Sequence, residues 1–450
     1  MIQELIIFSF FVICAVPFII SLRRGRFDIF EPIVWFSIFQ VMIGVAFIDR
    51  LYLQEPFIRH SHLIDVGFEQ AFLTISILYM LFTALVVIGY YIDITSMLSV
   101  PTVYHESYEH DGDLLRKISY IYIIFGSIFY LILIWIPLDG RLLRLFTTTE
   151  PRSQLFAGYA VISLGAEMLH LGYAIWIVSK LANGIKPRPI HLLPIVPIMS
   201  AYLLLGDRGQ FVGVLLNILI ILYYSLWFGT VKVKNQGITL PGDRLHFYAR
   251  QLSIPILGIG LVLIVILSRG LRQARSLQES LLEVDIINIL TGGIHNSQLD
   301  YLIILLEIVP DEFGYYYGTF YVRAFLNWIP RAIWSDKPVL TIGSKLRRVI
   351  LPEASGGRPP GIIGRYFVDF GFPGVIVGAL ITGMLMRYIY ELLRKNGHSP
   401  LFLLIYVTVL FSVGGGVSNS TLFGMTSMLL LLIPVLIADR IFSHRSVTNR

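Results

Sequence analysis

Along nearly the whole chain, long apolar runs alternate with short polar joints. Eleven runs approach or reach the ~20 residues that cross a hydrocarbon core at about 1.5 Å per residue. They are 5–22, 29–48, 66–88, 118–137, 156–178, 190–205, 211–228, 252–267, 372–387, 401–413 and 421–441. Runs of this length predict membrane-spanning helices. One stretch, 269–370, breaks the pattern, which divides the chain into helices 1–8 (1–268), a polar segment (269–370), and helices 9–11 with a tail (371–450).

That stretch holds Arg269, Arg272, Arg275, Asp300, Asp311, Arg331, Lys337, Arg358, Arg365 and Asp369, an aromatic cluster at 313–321, and a Pro/Gly-rich run at 356–361. A loop this long inside a membrane protein is as a rule either functional or disordered. Leu, Ile, Tyr, Phe and Trp are too frequent here for a solvated tail. Helical spacing covers 276–290, with Glu279, Glu283 and Asp285 between the apolar positions. The run 299–309 is too short to span and carries Asp300 and Glu307 near one face, which predicts a helix lying in the membrane interface. Trp328, Trp334 and the tyrosines suit headgroup level. Pro330, Pro338, Pro352, Pro359 and Pro360 end any longer helix.

Composition agrees: 56% of residues are hydrophobic, 14% are charged, and mean hydropathy is +0.74. So little polar surface excludes a soluble chain of this length and predicts an all-α polytopic membrane protein. A single cysteine, Cys14, excludes disulfides within the chain and cysteine metal sites. The first run is followed by Arg23, Arg24 and Arg26 without a small-residue cleavage site, so it reads as a retained helix. The net charge of +6 matters through its placement. Lys and Arg at 23–26, 116–117, 180–188, 232–250, 394–395 and 444–450 fall on one side of an eleven-helix trace. The positive-inside rule makes that side cytoplasmic. The N terminus is then outside, the C terminus inside, and 269–370 external; in a bacterium that side is the periplasm or the external face. No internal repeat or second soluble domain is evident, and no nucleic-acid partner is expected.

Several residues could carry chemistry. Asp207 and Arg208 occupy a tight turn, Gly206-Asp207-Arg208-Gly209, between two apolar runs. It is either an interfacial turn with a snorkelling arginine or an anion site whose guanidinium forks onto phosphate oxygens. Arg269, Arg272 and Arg275 share much of one helical face and would gather a pyrophosphate, or simply flank a helix. Glycines around Arg358, Arg365, Tyr366 and Asp369 allow close backbone approach to a ligand. Arg365 and Asp369 sit one turn apart, so a helical ion pair also accounts for them. His295 is either a base or a hydrogen-bonded loop residue. Glu167 and His170, in the fifth run, are ionisable at membrane depth, where proton-path and polar-packing roles both stay open. No metal-ligand spacing, nucleotide-phosphate loop or Gly-x-Ser-x-Gly elbow is present, so no metal or cofactor is expected.

Three stretches together carry a family likeness: Gly206-Asp207-Arg208-Gly209; Trp328-Ile329-Pro330-Arg331 with Lys337-Pro338; and Gly364-x-Tyr366-x-x-Asp369-Phe370-Gly371-x-x-Gly374. In these, and in its large outer loop before the last three spans, the chain resembles the bacterial O-antigen polymerase (Wzy-type), or oligosaccharide repeat unit polymerase, family. The likeness covers the layout of nearly the whole chain and the detail of its last third. It implies a glycosyltransferase-C-like fold and an enzyme using undecaprenyl-pyrophosphate-linked oligosaccharide as donor and acceptor. A membrane lipid environment, a flippase and a chain-length regulator are the implied partners. Catalytic roles would fall to Asp369, Arg208, Arg358, Arg365, Asp207 and His295, and substrate binding to Arg269, Arg272, Arg331, Lys337 and Tyr366. Arg365 stands where the family pattern has a carboxylate, which moves the expected base to Asp369. An O-antigen ligase, a transporter or flippase of lipid-linked sugars, and a structural scaffold are the competing readings. Polar residues through several spans and repeat symmetry would mark a transporter; neither is seen.

Overall fold

The computed structural model describes residues 2–24, 27–53, 67–93, 98–103, 111–136, 140, 159–185, 189–198, 213–225, 294–311, 314–319, 326, 334, 342–350, 360–414 and 429–441. These are 85% helical, with no strand among them. In chain order the helices are α1 (Ile2–Arg23), α2 (Pro32–Leu53), α3 (Phe68–Tyr91), α4 (Gly112–Trp135), α5 (Ala160–Ala182), α6 (Gly213–Ser225), α7 (Ile294–Ile308), α8 (Ile342–Ile350), α9 (Gly361–Asn396), α10 (Pro400–Gly414) and α11 (429–441). Five of them, α1, α3, α4, α5 and α9, are long and apolar enough to cross a membrane; α2, α6 and α10 hold shorter apolar stretches. The predicted run 252–267 and the predicted helix 276–290 lie outside the described residues, as do parts of 190–205 and 421–441.

Apolar residues cover both sides of these helices, as a lipid solvent requires. On α1, Ile7, Phe10, Cys14, Pro17 and Ser21 form the buried face, while Ile2, Leu5, Phe8, Val12, Ile19 and Leu22 stand exposed. On α4 the exposed stripe runs through Ile121, Ile124, Phe125, Ile128, Leu131 and Trp135. A lipid solvent makes such stripes inexpensive.

The chain divides into two compact units. The first gathers Met1–Val100, Ile266–Glu391 and Leu410–Thr426, so α7, α8 and most of α9 share a unit with α1–α3. In it α3 and α9 cross at backbone contact, since a Cβ on Gly89 would strike the Leu380 carbonyl and one on Gly383 the Val86 carbonyl. Small residues permit this approach, which dispersion then rewards. Where the α1–α2 joint meets the ends of α3 and α9, polar groups are buried in mutual contact. Tyr90 donates to Glu31 Oε1 at 2.6 Å and Tyr390 to Asp28 Oδ2 at 3.0 Å, while Arg387 pairs with Glu391 at 2.7 Å and lies over the Tyr90 ring. At the other end of α2, Arg50 Nη2 bonds both carboxylate oxygens of Asp300 on α7 at 3.1 Å. The apolar residues of α7, predicted to lie in the interface, are Leu299, Leu302, Ile303, Ile304 and Leu305, and they are buried in the core of this unit beside α2 and α3.

The second unit comprises Pro101–Val265, Leu392–Val409 and Ser427–Arg450. Here α4 and α5 pack through glycines: Gly126 faces the Leu169 backbone, Gly165 the Phe129 ring and Gly172 the Ile123 backbone. His170 is buried in this unit. Asn396, at the end of α9, accepts from Val103 N at 2.6 Å and donates to the Pro101 carbonyl at 3.2 Å, pinning the strand of chain that leads to α4.

Candidate functional site

The predicted ninth span begins at 372, but the helix in the structure begins at Gly361 and is broken at Phe370 (φ −146°, ψ 18°) and Gly371 (φ 66°, ψ −155°). Glycine takes that positive φ without a Cβ penalty, and a Cβ there would also crowd the Tyr315 hydroxyl at 3.2 Å. Pro373 adds the second cause, for it has no N–H to offer the Asp369 carbonyl one turn back. The break folds the first half of α9 against the second. Tyr366 Oη meets Thr382 Oγ1 at 2.8 Å, although an unbroken helix would hold the two residues roughly 24 Å apart. The Tyr366 ring lies over Gly378. Tyr366, expected to bind substrate, is therefore placed as the brace between the two halves.

The carbonyls freed by the break find donors in the aromatic cluster. Tyr316 N donates to the Val368 carbonyl at 3.0 Å and Tyr317 N to the Asp369 carbonyl at 3.1 Å. Gly318 N donates to Asp369 Oδ1 at 3.1 Å. Three positive φ values, at Gly314 (63°), Tyr317 (47°) and Gly318 (77°), wrap the loop onto the helix end. Asp369 is fully buried beneath it, and its Oδ2 has no hydrogen-bond partner among the described residues. Arg365, one turn earlier, is buried too, and its charge acts on the Asp369 carboxylate. Behind Arg365, Gly364 lets Leu305 of α7 come close.

On the open side, Tyr315, Tyr317 and Phe370 form a chain of edge-to-face rings with centroids 6.1 and 6.2 Å apart. Tyr317 is 71% exposed and Phe370 50%. Lys345 of α8 lies over the Tyr316 ring at 4.3 Å, and its partial burial there pulls its pKa below the usual lysine value. Arg347 and Arg348 follow on the same short helix, whose Ile342 and Leu346 are buried.

The structure thus brings together Arg365, Tyr366 and Asp369. Asp207, Arg208, Arg269, Arg272, Arg331, Lys337 and Arg358 lie outside the described residues, and His295 falls in the first turn of α7 with its side chain outside them. Sequence reasoning passed over Arg50 and Lys345. For Lys345 a signal existed: Ile342, Leu346 and Val349 at helical spacing with Lys345, Arg347 and Arg348 between them. For Arg50 there was none, because its partner is 250 residues away. Among the described residues, no three metal-ligating side chains come together.

Comparison of the chain with protein-family models, with curated proteins and with solved structures finds no match. What the helices define is a class, a helical integral membrane protein.

Proposed function

We propose that this chain is a membrane glycosyltransferase that polymerises undecaprenyl-pyrophosphate-linked oligosaccharide units on the outer face of a bacterial inner membrane. The observation that carries the reading is the break in α9, where a buried carboxylate and guanidinium sit one turn apart under a tyrosine loop with basic α8 alongside. In the reaction, the bond from the anomeric carbon of the growing chain to its pyrophosphate oxygen breaks. A hydroxyl of the incoming unit forms the new glycosidic bond, and its proton leaves to a base. Pyrophosphate is a good leaving group, so cationic side chains that stabilise its developing charge suffice without a nucleotide sugar. Arg365 and Lys345 are the described residues suited to that task, Arg208 and Arg358 the ones the family likeness adds. Asp369 is the base in this reading, its second oxygen without a hydrogen-bond partner among the described residues.

The pairing of Arg50 with Asp300 brings the end of α2 to the long polar segment, and the joint at Asp28 and Glu31 meets the far ends of α3 and α9. Alternating α1, α2 and α3 demand this arrangement in either orientation, and the placement of Lys and Arg in the short joints is what assigns the polar segment to the outer side. The deciding experiment supplies purified full-length protein in liposomes with its native lipid-linked repeat unit and examines the products. A ladder of lengthening lipid-linked glycan is expected. Unchanged repeat units with net transbilayer movement would replace the reading with a transporter, and transfer only onto a lipid A–core acceptor would replace it with a ligase.

A further inference from the structure

We propose that residues 314–318 form a lid over the Asp369 carboxylate and that the lid lifts before each transfer, a reading that rests on the role given to Asp369 above. A base must come within hydrogen-bond reach of the proton it takes. Asp369 is fully buried, and its Oδ2 has no hydrogen-bond partner among the described residues. An acceptor hydroxyl cannot reach that oxygen while the loop lies in place. The loop rests directly on this residue: Gly318 N donates to Oδ1, and Tyr317 N to the carbonyl. The site is therefore described in its closed state.

The loop is built to part from the helix end. None of residues 314–319 is fully buried, and Tyr317 is 71% exposed, so no core side chain has to leave its place. Three backbone hydrogen bonds, from Tyr316, Tyr317 and Gly318, fasten the loop to α9. When it lifts, water takes over their donors and acceptors, which makes such an opening far less costly than unfolding a helix. Tyr317 pulls the same way. Its φ of 47° lies in the left-handed region that disfavours a Cβ, and the lifted loop is released from it. Gly314 and Gly318, with φ of 63° and 77°, take that region without penalty and serve as the hinges. The cover has a chemical use. Water competes with the acceptor hydroxyl for the anomeric carbon, and its success would cut the glycan from its carrier and end the chain. A closed resting state withholds the base from water between transfers.

The test uses the full chain in phosphatidylcholine nanodiscs and follows amidation of Asp369 by a water-soluble carbodiimide with glycinamide, read by peptide mass spectrometry. Gly314→Ala places its Cβ in open space, so its effect is confined to the positive φ. It disfavours the closed loop and should speed labelling of Asp369 roughly three- to tenfold. In Tyr317→Cys/Phe370→Cys, replacing rings whose centroids lie 6.2 Å apart, a dibromobimane bridge holds the lid shut while Cys14 stays buried away from the reagent. Compared with the same variant capped by monobromobimane, the bridged protein should lose at least tenfold in both Asp369 labelling and polymerisation. Equal labelling in Gly314→Ala and wild type, or in bridged and capped protein, overturns the proposal. So does a bridged protein that polymerises at the capped rate, since transfer then proceeds under a closed lid. The expected labelling pattern, in a chain whose wild type makes no polymer from its lipid-linked unit, would keep the lid and remove the polymerase reading.

Discussion

Replacing Arg50 with methionine tests how the long polar segment is fastened to the helices. Arg50 and Asp300 keep only 10% and 20% of their side-chain surface exposed, and Arg50 Nη2 reaches both carboxylate oxygens. Removing one partner of a fully buried pair costs about 3–5 kcal/mol, because the remaining charge is left without compensation. Asp300 retains some water, so the expected loss is ~2–3 kcal/mol, or roughly 30- to 150-fold in the population of the opened state. The single cysteine is a built-in reporter, since Cys14 is completely buried in the same core cluster. Its labelling rate by a maleimide dye, in detergent under conditions where reclosing outpaces labelling, should rise by that factor. Burial pushes the Asp300 carboxyl up to about 7, against the pull of Arg50. The folded state therefore holds more protons than the unfolded chain between the ordinary carboxylate range and about 7. The stability this group contributes is present at acid pH and lost as pH rises through 7. Without Arg50 the pKa rises further, and a proton takes over as neutraliser. The Arg50→Met penalty should thus be large at pH 8 and small at pH 6. The double variant Arg50→Met/Asp300→Leu, with neither charge, should return to within about 1 kcal/mol of wild type. Unchanged labelling in Arg50→Met, a penalty that grows on acidification, or additive losses in the double variant would each refute the pairing.

Three further outcomes are expected. Asp369→Asn preserves an acceptor for Gly318 N, so Cys14 protection and donor binding should stay normal while single-turnover polymerisation collapses; Asp369→Ala should also loosen the tyrosine loop, seen as faster proteolysis there. Near-normal turnover in Asp369→Asn would leave Asp369 only an anchoring role and shift the base to Asp207. Gly383→Ala drives a Cβ into the Val86 carbonyl of α3 and should cost at least about 1–3 kcal/mol by the labelling assay, whereas Gly67→Ala, which meets nothing within 4 Å, should stay within about 0.5 kcal/mol of wild type. Arg208→Ala and Arg358→Ala should accumulate normally in the membrane but make no polymer above one repeat unit, with lysine a poor substitute because the planar fork is lost; full activity of both alanine variants in the liposome assay would remove them from the site.

Membrane character, helical class and the five span-length apolar helices were legible in the residues themselves. A backbone in hydrocarbon must satisfy its own hydrogen bonds, so a long apolar run has one outcome wherever it occurs. Arg365 and Asp369 stand out in the sequence as charges one turn apart at the mouth of a late span, whereas the break at Phe370 and Gly371 does not, since the apolar run alone places the span from 372. The packing faces were not legible. On α1 both faces are apolar, so Phe8 and Phe10 read alike in sequence, yet Phe8 looks outward and Phe10 is buried. Hydrophobic periodicity carries no signal when solvent and core are equally apolar, and only the glycine contacts with neighbouring helices decide. Nor could sequence show that the first half of α9 folds back on the second, that the tyrosine cluster supplies the N–H groups the break withdraws, or that Arg50 finds Asp300. These are non-local pairings, chosen because a buried carbonyl or carboxylate must be answered by whichever donor the fold brings near it.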